Sequence, residues 1–289
     1  MLKRKHATTD TGLMRVWIST AMAIAATLLL APAALAETST SANWSGYAVH
    51  HPGISFRKVS ASWRQPNASC TPGRPGFSAF WVGLGGYSPN SGALEQIGTE
   101  ADCRPSGTAQ LSAWYELVPA PSKPISLTVK AGDTINASVT VVGHRATLSL
   151  TDATRHHGFS RTLTARAVDV SAAEWIVEAP SECININTCQ TLPLADFGTA
   201  KFTSARAQGS KGHVGPIAPA PWSNTKLILT PGGRRFVSYL GNGASGGAAS
   251  PSALSAGGSA FSVSFAAQSN PFMTVRAAAP ARLAGQLYH

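Results

Sequence analysis

Two short segments hold the residues best suited to chemistry. Ala173-Glu174-Trp175-Ile176-Val177-Glu178 alternates strictly. On a strand, Glu174, Ile176 and Glu178 would leave one face and Ala173, Trp175 and Val177 the other. Carboxylates repeated on a face of so apolar a strand are costly unless that face lines a wet groove. Leu94-Glu95-Gln96-Ile97-Gly98 offers an amide, Gln96, in an equally apolar setting. A carboxylate and an amide facing one groove could activate a water and hold an oxyanion. On this reading Gln96, Glu174 and Glu178 are groove residues rather than core groups.

Other chemistries fit less well. Gly243-Ala244-Ser245-Gly246-Gly247 matches the serine-hydrolase pattern G-x-S-x-G, but it lies in a Gly/Ala/Ser-rich stretch with no amphipathic helix after it. The pairs His50-His51 and His156-His157 would point to opposite faces of a strand and make no chelate. Metalloprotease, Walker and dinucleotide patterns are missing, and Gly83-x-Gly85-Gly86 reads as a turn. Asp10-Thr11-Gly12, the one aspartic-protease-like triplet, falls in the N-terminal leader. Glu178 with Glu116 or Glu174 could form the two-carboxylate pair of a glycoside hydrolase. Spacing alone also allows Glu178 to be a strand-end acid near solvent. No metal or organic cofactor is expected.

The elements that would position these residues are short strands. The segments 125–129, 134–141 and 146–150 alternate and are separated by turn residues, which predicts a meander. Further strands are expected at 80–84, 113–117, 199–203, 226–229, 235–240 and 261–265. Helical periodicity is nearly absent after the leader. The pattern predicts an all-β, two-sheet antiparallel sandwich with one wet face. The stretch 241–258 reads as a long loop, and 268–289 as a loosely packed C-terminal tail.

Length and charge bound the class. Lys3, Arg4, Lys5 and Arg15 precede an apolar run from Trp17 to Leu30, and Ala34-Leu35-Ala36 suits a cleavage site. Residues 1–36 therefore read as a signal peptide, and the run is short for a membrane anchor, which needs about 20 residues. Its removal takes away four Lys/Arg and one acid, so the net charge falls from +10 to +7 over residues 37–289. The remaining positive charges are scattered, which argues against nucleic acid as a partner. Four cysteines in an exported chain favour disulfides over a zinc site, for which the spacing is poor. Cys183 and Cys189 are close enough to close a short loop, which leaves Cys70 with Cys103.

Five blocks carry a resemblance to a known family. Asn43-Trp44-Ser45-Gly46-Tyr47, Phe80-Trp81-Val82-Gly83-Leu84, Leu94-Glu95-Gln96-Ile97-Gly98, Ala113-Trp114-Tyr115-Glu116 and Ala173-Glu174-Trp175-Ile176-Val177-Glu178 occur in the order seen in the glutamic peptidases. The chain resembles this eqolisin family, especially its bacterial members, over roughly residues 40–267. The resemblance implies two curved sheets, a concanavalin- or jelly-roll-like sandwich spanning 37–267, with a concave substrate groove. It implies Gln96 and Glu178 as the catalytic pair, Glu178 in preference to Glu174. It places Trp44 and Trp81 as groove walls, Glu116 as a groove acid, and Cys183 and Cys189 in a small disulfide loop. One departure is Gly85, where the family often has an Asp that helps the local hydrogen-bond network. Only Glu37 to Ala42 separate the leader from the first block, which leaves no room for a large propeptide. The implied function is a secreted, monomeric, single-domain acid endopeptidase acting on extended peptides, free of the membrane once the leader is cut. A lectin-like carbohydrate-binding sandwich and the glycoside hydrolase are the alternatives that fold alone leaves open.

Overall fold

The computed structural model describes residues 37–88, 90–185, 188–231, 246–267 and 286–289. The expected leader (1–36), the strand expected at 235–240, residues 243–245 of the G-x-S-x-G match and 268–285 of the expected tail lie outside them. β1 (Glu37–Ser41), β2 (Trp44–His50), β3 (Phe56–Arg64), β4 (Ala79–Gly85), β5 (Leu94–Cys103), β6 (Ala109–Val118) and β7 (Lys123–Ile125) come first. β8 (Thr134–Val142), β9 (Arg145–Asp152) and β10 (His157–Thr164) form a meander, and β11 (Ala172–Glu178) follows. β12 (Ser181–Asn185) and β13 (Thr188–Thr191) pair with each other. β14 (Thr199–Gly209), β15 (Val214–Gly215), β16 (Ser223–Leu229), β17 (Gly247–Pro251), β18 (Phe261–Ala267) and β19 (Gln286–Tyr288) complete the described strands.

Hydrogen bonds run without a break along β10-β9-β8-β3-β14-β18-β17-β16-β2-β11-β4-β5-β6-β7. All these neighbours are antiparallel; β1 lies parallel to β16 at the side. The path folds over on itself, so that β3, β8 and β9 pack against β4, β5 and β11. The expected sandwich is therefore present, with its two layers joined as one bonded sheet. Val59, Trp63, Val139, Leu148 and Phe202 from one layer meet Phe80, Val82, Ile97, Trp175 and Val177 from the other. Full burial of each aliphatic or Phe side chain stabilises by roughly 1.5–3 kcal/mol. Trp175 also places its polar tip, donating Nε1–H to the Ser60 carbonyl at 2.9 Å.

Both expected disulfides are formed, Cys70–Cys103 and Cys183–Cys189. The first closes a span of 33 residues, a restraint on the unfolded chain worth about 3–4 kcal/mol. The second lies in a small separate sheet of order β13-β12-β19. Cys183 belongs to a second apolar cluster with Trp44, Trp81, Trp114, Ile176 and Leu227, so this small sheet covers the outer face of β2, β4, β6 and β11.

Three local expectations change. The strand expected at 125–129 ends at Ile125, because the chain turns there and Leu127 N–H donates to the Ile125 carbonyl. The stretch 241–258 contains β17. At Gly247 small size is a packing requirement rather than a loop signature: a Cβ there would stand 2.2 Å from the Phe265 ring. At the far end of the chain, residues 286–288 form a strand against β12, and His289 is buried.

Candidate active site

β11 lies between β2 and β4, and β5 and β6 follow beyond β4. The alternation of β11 is as the sequence indicates. Ala173, Trp175 and Val177 enter the core, and Glu174, Ile176 and Glu178 occupy the other face. Gln96 pairs directly with Glu116 across β5 and β6, and with Gly83 on β4. Two glycines make room on this face. A Cβ on Gly98 would stand 2.3 Å from the Phe80 carbonyl oxygen and 2.7 Å from Trp81 Cβ. One on Gly83 would meet the Trp81 ring at 2.9 Å and Gln96 Cβ at 3.2 Å. The glycines of the Gln96 and Trp81 blocks thus let the indole lie across the sheet beside the amide.

The face that its carboxylates suggested as a wet groove is closed over in this structure. Glu174, Glu178, Gln96 and Glu116 are all fully buried. The expectation that these residues are not core groups is corrected accordingly: they are as enclosed as the core, and their chemistry is that of desolvated groups.

Glu178 is held by side-chain donors. Asn43 Nδ2 donates to Oε1 at 3.0 Å and Trp81 Nε1 to Oε2 at 2.8 Å. Burial pushes the Glu178 pKa up to about 8, against the lowering effect of the Trp44, Trp81 and Asn43 donors. Trp44 and Trp81, expected as groove walls, do lie on this face, with ring centroids 5.0 Å apart in an edge contact. Both are fully buried, and they act on the carboxyl through their N–H groups. Asn43 had no assigned role in the sequence reading, although it opens the first block. It is fixed by Ser41, whose hydroxyl donates to Asn43 Oδ1 at 3.4 Å and accepts from the Trp44 N–H at 2.8 Å.

Gln96 is aimed by its neighbour. Its Nε2 donates one hydrogen to Glu116 Oε2 at 2.7 Å and the other to the main-chain oxygen of His289 at 2.6 Å. Burial raises the Glu116 pKa well above the carboxylate range, and the Glu178 charge adds to the rise; the His289 N–H and Gln96 lower it. Glu116 is therefore both hydrogen-bonded to Gln96 and within electrostatic reach of Glu178, linking the two residues. His289 had no place in the sequence reading. Burial lowers its imidazole pKa to about 3.

Glu174 has no such donors. Burial, Asp169 and Glu95 all push its pKa well above the usual range. Asp169 also answers the departure at Gly85. A Cβ on Gly85 would stand 2.6 Å from Asp169 Cβ. Asp169 Oδ2 accepts from the Gly86 N–H at 3.2 Å and from Ser91 Oγ at 2.5 Å. A carboxylate from the β10–β11 connection thus fills the space over Gly85 and ties down the turn after β4.

No group of three or more His, Cys, Asp or Glu among the described residues is arranged to hold a metal ion. His50 stacks on Tyr87 and bonds Thr225 Oγ1, and His51 is exposed. No helix among the described residues is long and apolar enough to cross a membrane.

Comparison with known proteins agrees with the five blocks. Aspergillopepsin-2 of Aspergillus niger is 27% identical over 200 residues, covering 61% of this chain and 67% of its own. The fold matches that of scytalido-glutamic peptidase, solved with a peptide-based transition-state analogue, at a TM-score of 0.58 and 23% identity, over 78% of this chain and 98% of the other. It also matches SCP-B, a member of the eqolisin family solved with the tripeptide Ala-Ile-His, at a TM-score of 0.55 and 24% identity, again over 78% and 98%. Residues 42–226, which include every block and both Gln96 and Glu178, match the Peptidase A4 family. The lectin-like and glycosidase alternatives give way to this assignment: the chain belongs to the Peptidase A4 family and is a glutamic endopeptidase.

Proposed function

We propose that Glu178 and Gln96 are the catalytic pair of a secreted endopeptidase that cuts extended peptides in acid, without a metal. The observation that carries this reading is the aim of Gln96. Glu116 takes one hydrogen of its amide, and the other already points at a main-chain oxygen, that of His289. That is the donor geometry a scissile carbonyl needs as its oxygen becomes an oxyanion. Export is supported by the two disulfides and by the signal-like leader.

The reaction then follows from side-chain chemistry. Ionised Glu178 takes a proton from a water as the water oxygen bonds to the scissile carbon. Gln96 donates to the resulting oxyanion. The proton on Glu178 passes to the leaving nitrogen as the C–N bond breaks, which restores the carboxylate. The N–H donors at Glu178 favour its ionised form, whereas burial opposes it. Water entering with a substrate returns part of the lost solvation and lets Glu178 ionise in acid. Glu116, close to Glu178 and disfavoured as an anion, stays protonated, so no carboxylate faces the oxyanion while Glu178 holds the transferred proton. A glycosidase would instead need Glu116 or Glu174 as the partner acid, but Glu116 Oε2 is engaged by Gln96 and the His289 N–H, and both Glu174 oxygens lie buried without a hydrogen-bond partner.

The test is a peptide-library digest by the purified protein at several acidic pH values, with Glu178→Gln as control. The expected result is cleavage by the parent and none by the variant. Cleavage by both at similar rates would refute the assignment.

A further inference from the structure

The space beside Gln96 holds a piece of this chain. β19 runs antiparallel to β12, with Gln286 opposite Cys183, Leu287 opposite Glu182 and Tyr288 opposite Ser181. The next residue, His289, lies in the candidate site and is 1% exposed. Its N–H donates to Glu116 Oε2 at 3.2 Å, and its main-chain oxygen accepts from Gln96 Nε2 at 2.6 Å. Its imidazole stacks on Trp114 with centroids 4.0 Å apart and planes 20° apart. Imidazole Nε2 stands 3.6 Å from Glu100 Oε2. The Ser112 hydroxyl donates to the other oxygen of Glu100 and fixes that carboxyl.

This is how a bound peptide sits. The backbone is extended and adds a strand to β12. The main-chain donor and acceptor of His289 are taken by Glu116 and Gln96 rather than by a neighbouring strand. The ring lies on a flat aromatic face with a carboxyl at its edge, a slot that suits a planar ring bearing N–H.

We propose that residues 286–289 are a self-ligand of the catalytic groove, and that the slot between Trp114 and Glu100 is a subsite for an imidazole-bearing residue of a peptide. The proposal rests on the reading of Gln96 given above. While the segment is seated, the second Gln96 hydrogen is occupied, and a substrate must displace the segment to use it. A tethered ligand acts at an effective concentration of order millimolar, so the full chain works at only the fraction of its rate at which the groove is open. The same contacts make Trp114 and Glu100 determinants of specificity: Trp114 selects a flat ring, and the Glu100 carboxyl stands 3.6 Å from the edge of that ring.

The test compares the full chain, a form ending at residue 285, and full-length His289→Ala in hydrolysis of one peptide substrate. A synthetic peptide Gly-Gln-Leu-Tyr-His is then titrated by calorimetry into the shortened form carrying Glu178→Gln. The shortened form should gain at least about tenfold in kcat/KM, and His289→Ala should gain part of that. The peptide should bind, and its version ending in Ala, or a Trp114→Ala host, should bind about tenfold more weakly. Unchanged kcat/KM in both altered forms overturns the self-ligand, and a peptide that fails to bind overturns the subsite. If the shortened form does not fold, His289→Ala and peptide inhibition of that variant decide in the same way. If the peptide binds as expected while no form hydrolyses anything, the self-ligand stands and the assignment of Glu178 and Gln96 fails.

Discussion

Glu174 and Glu178 are the same residue type on the same face of the same strand, both fully buried and both with raised pKa. Their surroundings are opposite. Glu178 has N–H donors from Asn43 and Trp81 on its two oxygens and influences Glu116, the partner of Gln96. Both Glu174 oxygens lack a hydrogen-bond partner, and the charged groups that shift its pKa are acids, Asp169 and Glu95. A buried carboxyl with donors can ionise when solvent or substrate arrives. One surrounded by like charges stays protonated and contributes to the fold. On the proposed mechanism, burial and a shifted pKa alone do not mark the reacting acid; the donors do.

The comparison breaks most severely through Gln96. Gln96→Ala removes the proposed oxyanion donor and should lower kcat by about 10²–10³, with folding checked by circular dichroism. A fall of less than threefold would place the oxyanion elsewhere. The donors come next. Asn43→Ala or Trp81→Phe removes one hydrogen bond that lowers the Glu178 pKa, so the limb of kcat/KM that requires ionised Glu178 should move to higher pH, by about one unit for a charge-assisted bond. A profile that stays in place would show that these donors do not govern the reacting group.

The smallest expected effect on rate, and the clearest on stability, is at Glu174. A carboxyl whose folded pKa is raised holds its proton in the folded state after the unfolded chain has lost it. It stabilises in acid, and that stabilisation is lost as pH rises from about 4.3, the ordinary Glu value, through the folded pKa. Glu95, at about 9, Glu178, at about 8, Glu116 and Glu174 all have this sign. His50 and His289, whose pKa values are lowered, oppose it below about pH 6.5 but are fewer. The thermal midpoint should therefore fall between pH 5 and pH 8, and Glu174→Gln should flatten that fall. An equal slope in the variant would mean that Glu174 is ionised throughout. Chelation with EDTA should leave hydrolysis unchanged; loss of activity restored by Zn²⁺ would contradict the metal-free mechanism.

Much of this arrangement is readable in the chain, and the unreadable part has a definite cause. The alternation of β11 and the apolar setting of Gln96 appear locally, because strand periodicity is a local property. The sandwich follows from many short alternating runs. The choice of Glu178 over Glu174 does not, since both match the same pattern; only the family resemblance separated them. The physical difference comes from Asn43, 135 positions away, and Trp81, 97 away. The contact of His289 with Gln96 spans 193 positions and leaves no local trace. β17 reads as loop because its residues are small, and at Gly247 the small size is required because the Phe265 ring lies on it. β10 is polar and largely exposed at the end of the bonded path, so it carries no apolar rhythm.

The most direct measurement is kcat/KM of Glu178→Gln and Glu174→Gln, side by side with the parent, on one peptide across the acid range. The account predicts that Glu178→Gln loses at least the 10²–10⁴-fold typical of a general base, while Glu174→Gln stays within a few-fold of the parent. A dead Glu174→Gln beside an active Glu178→Gln would contradict it.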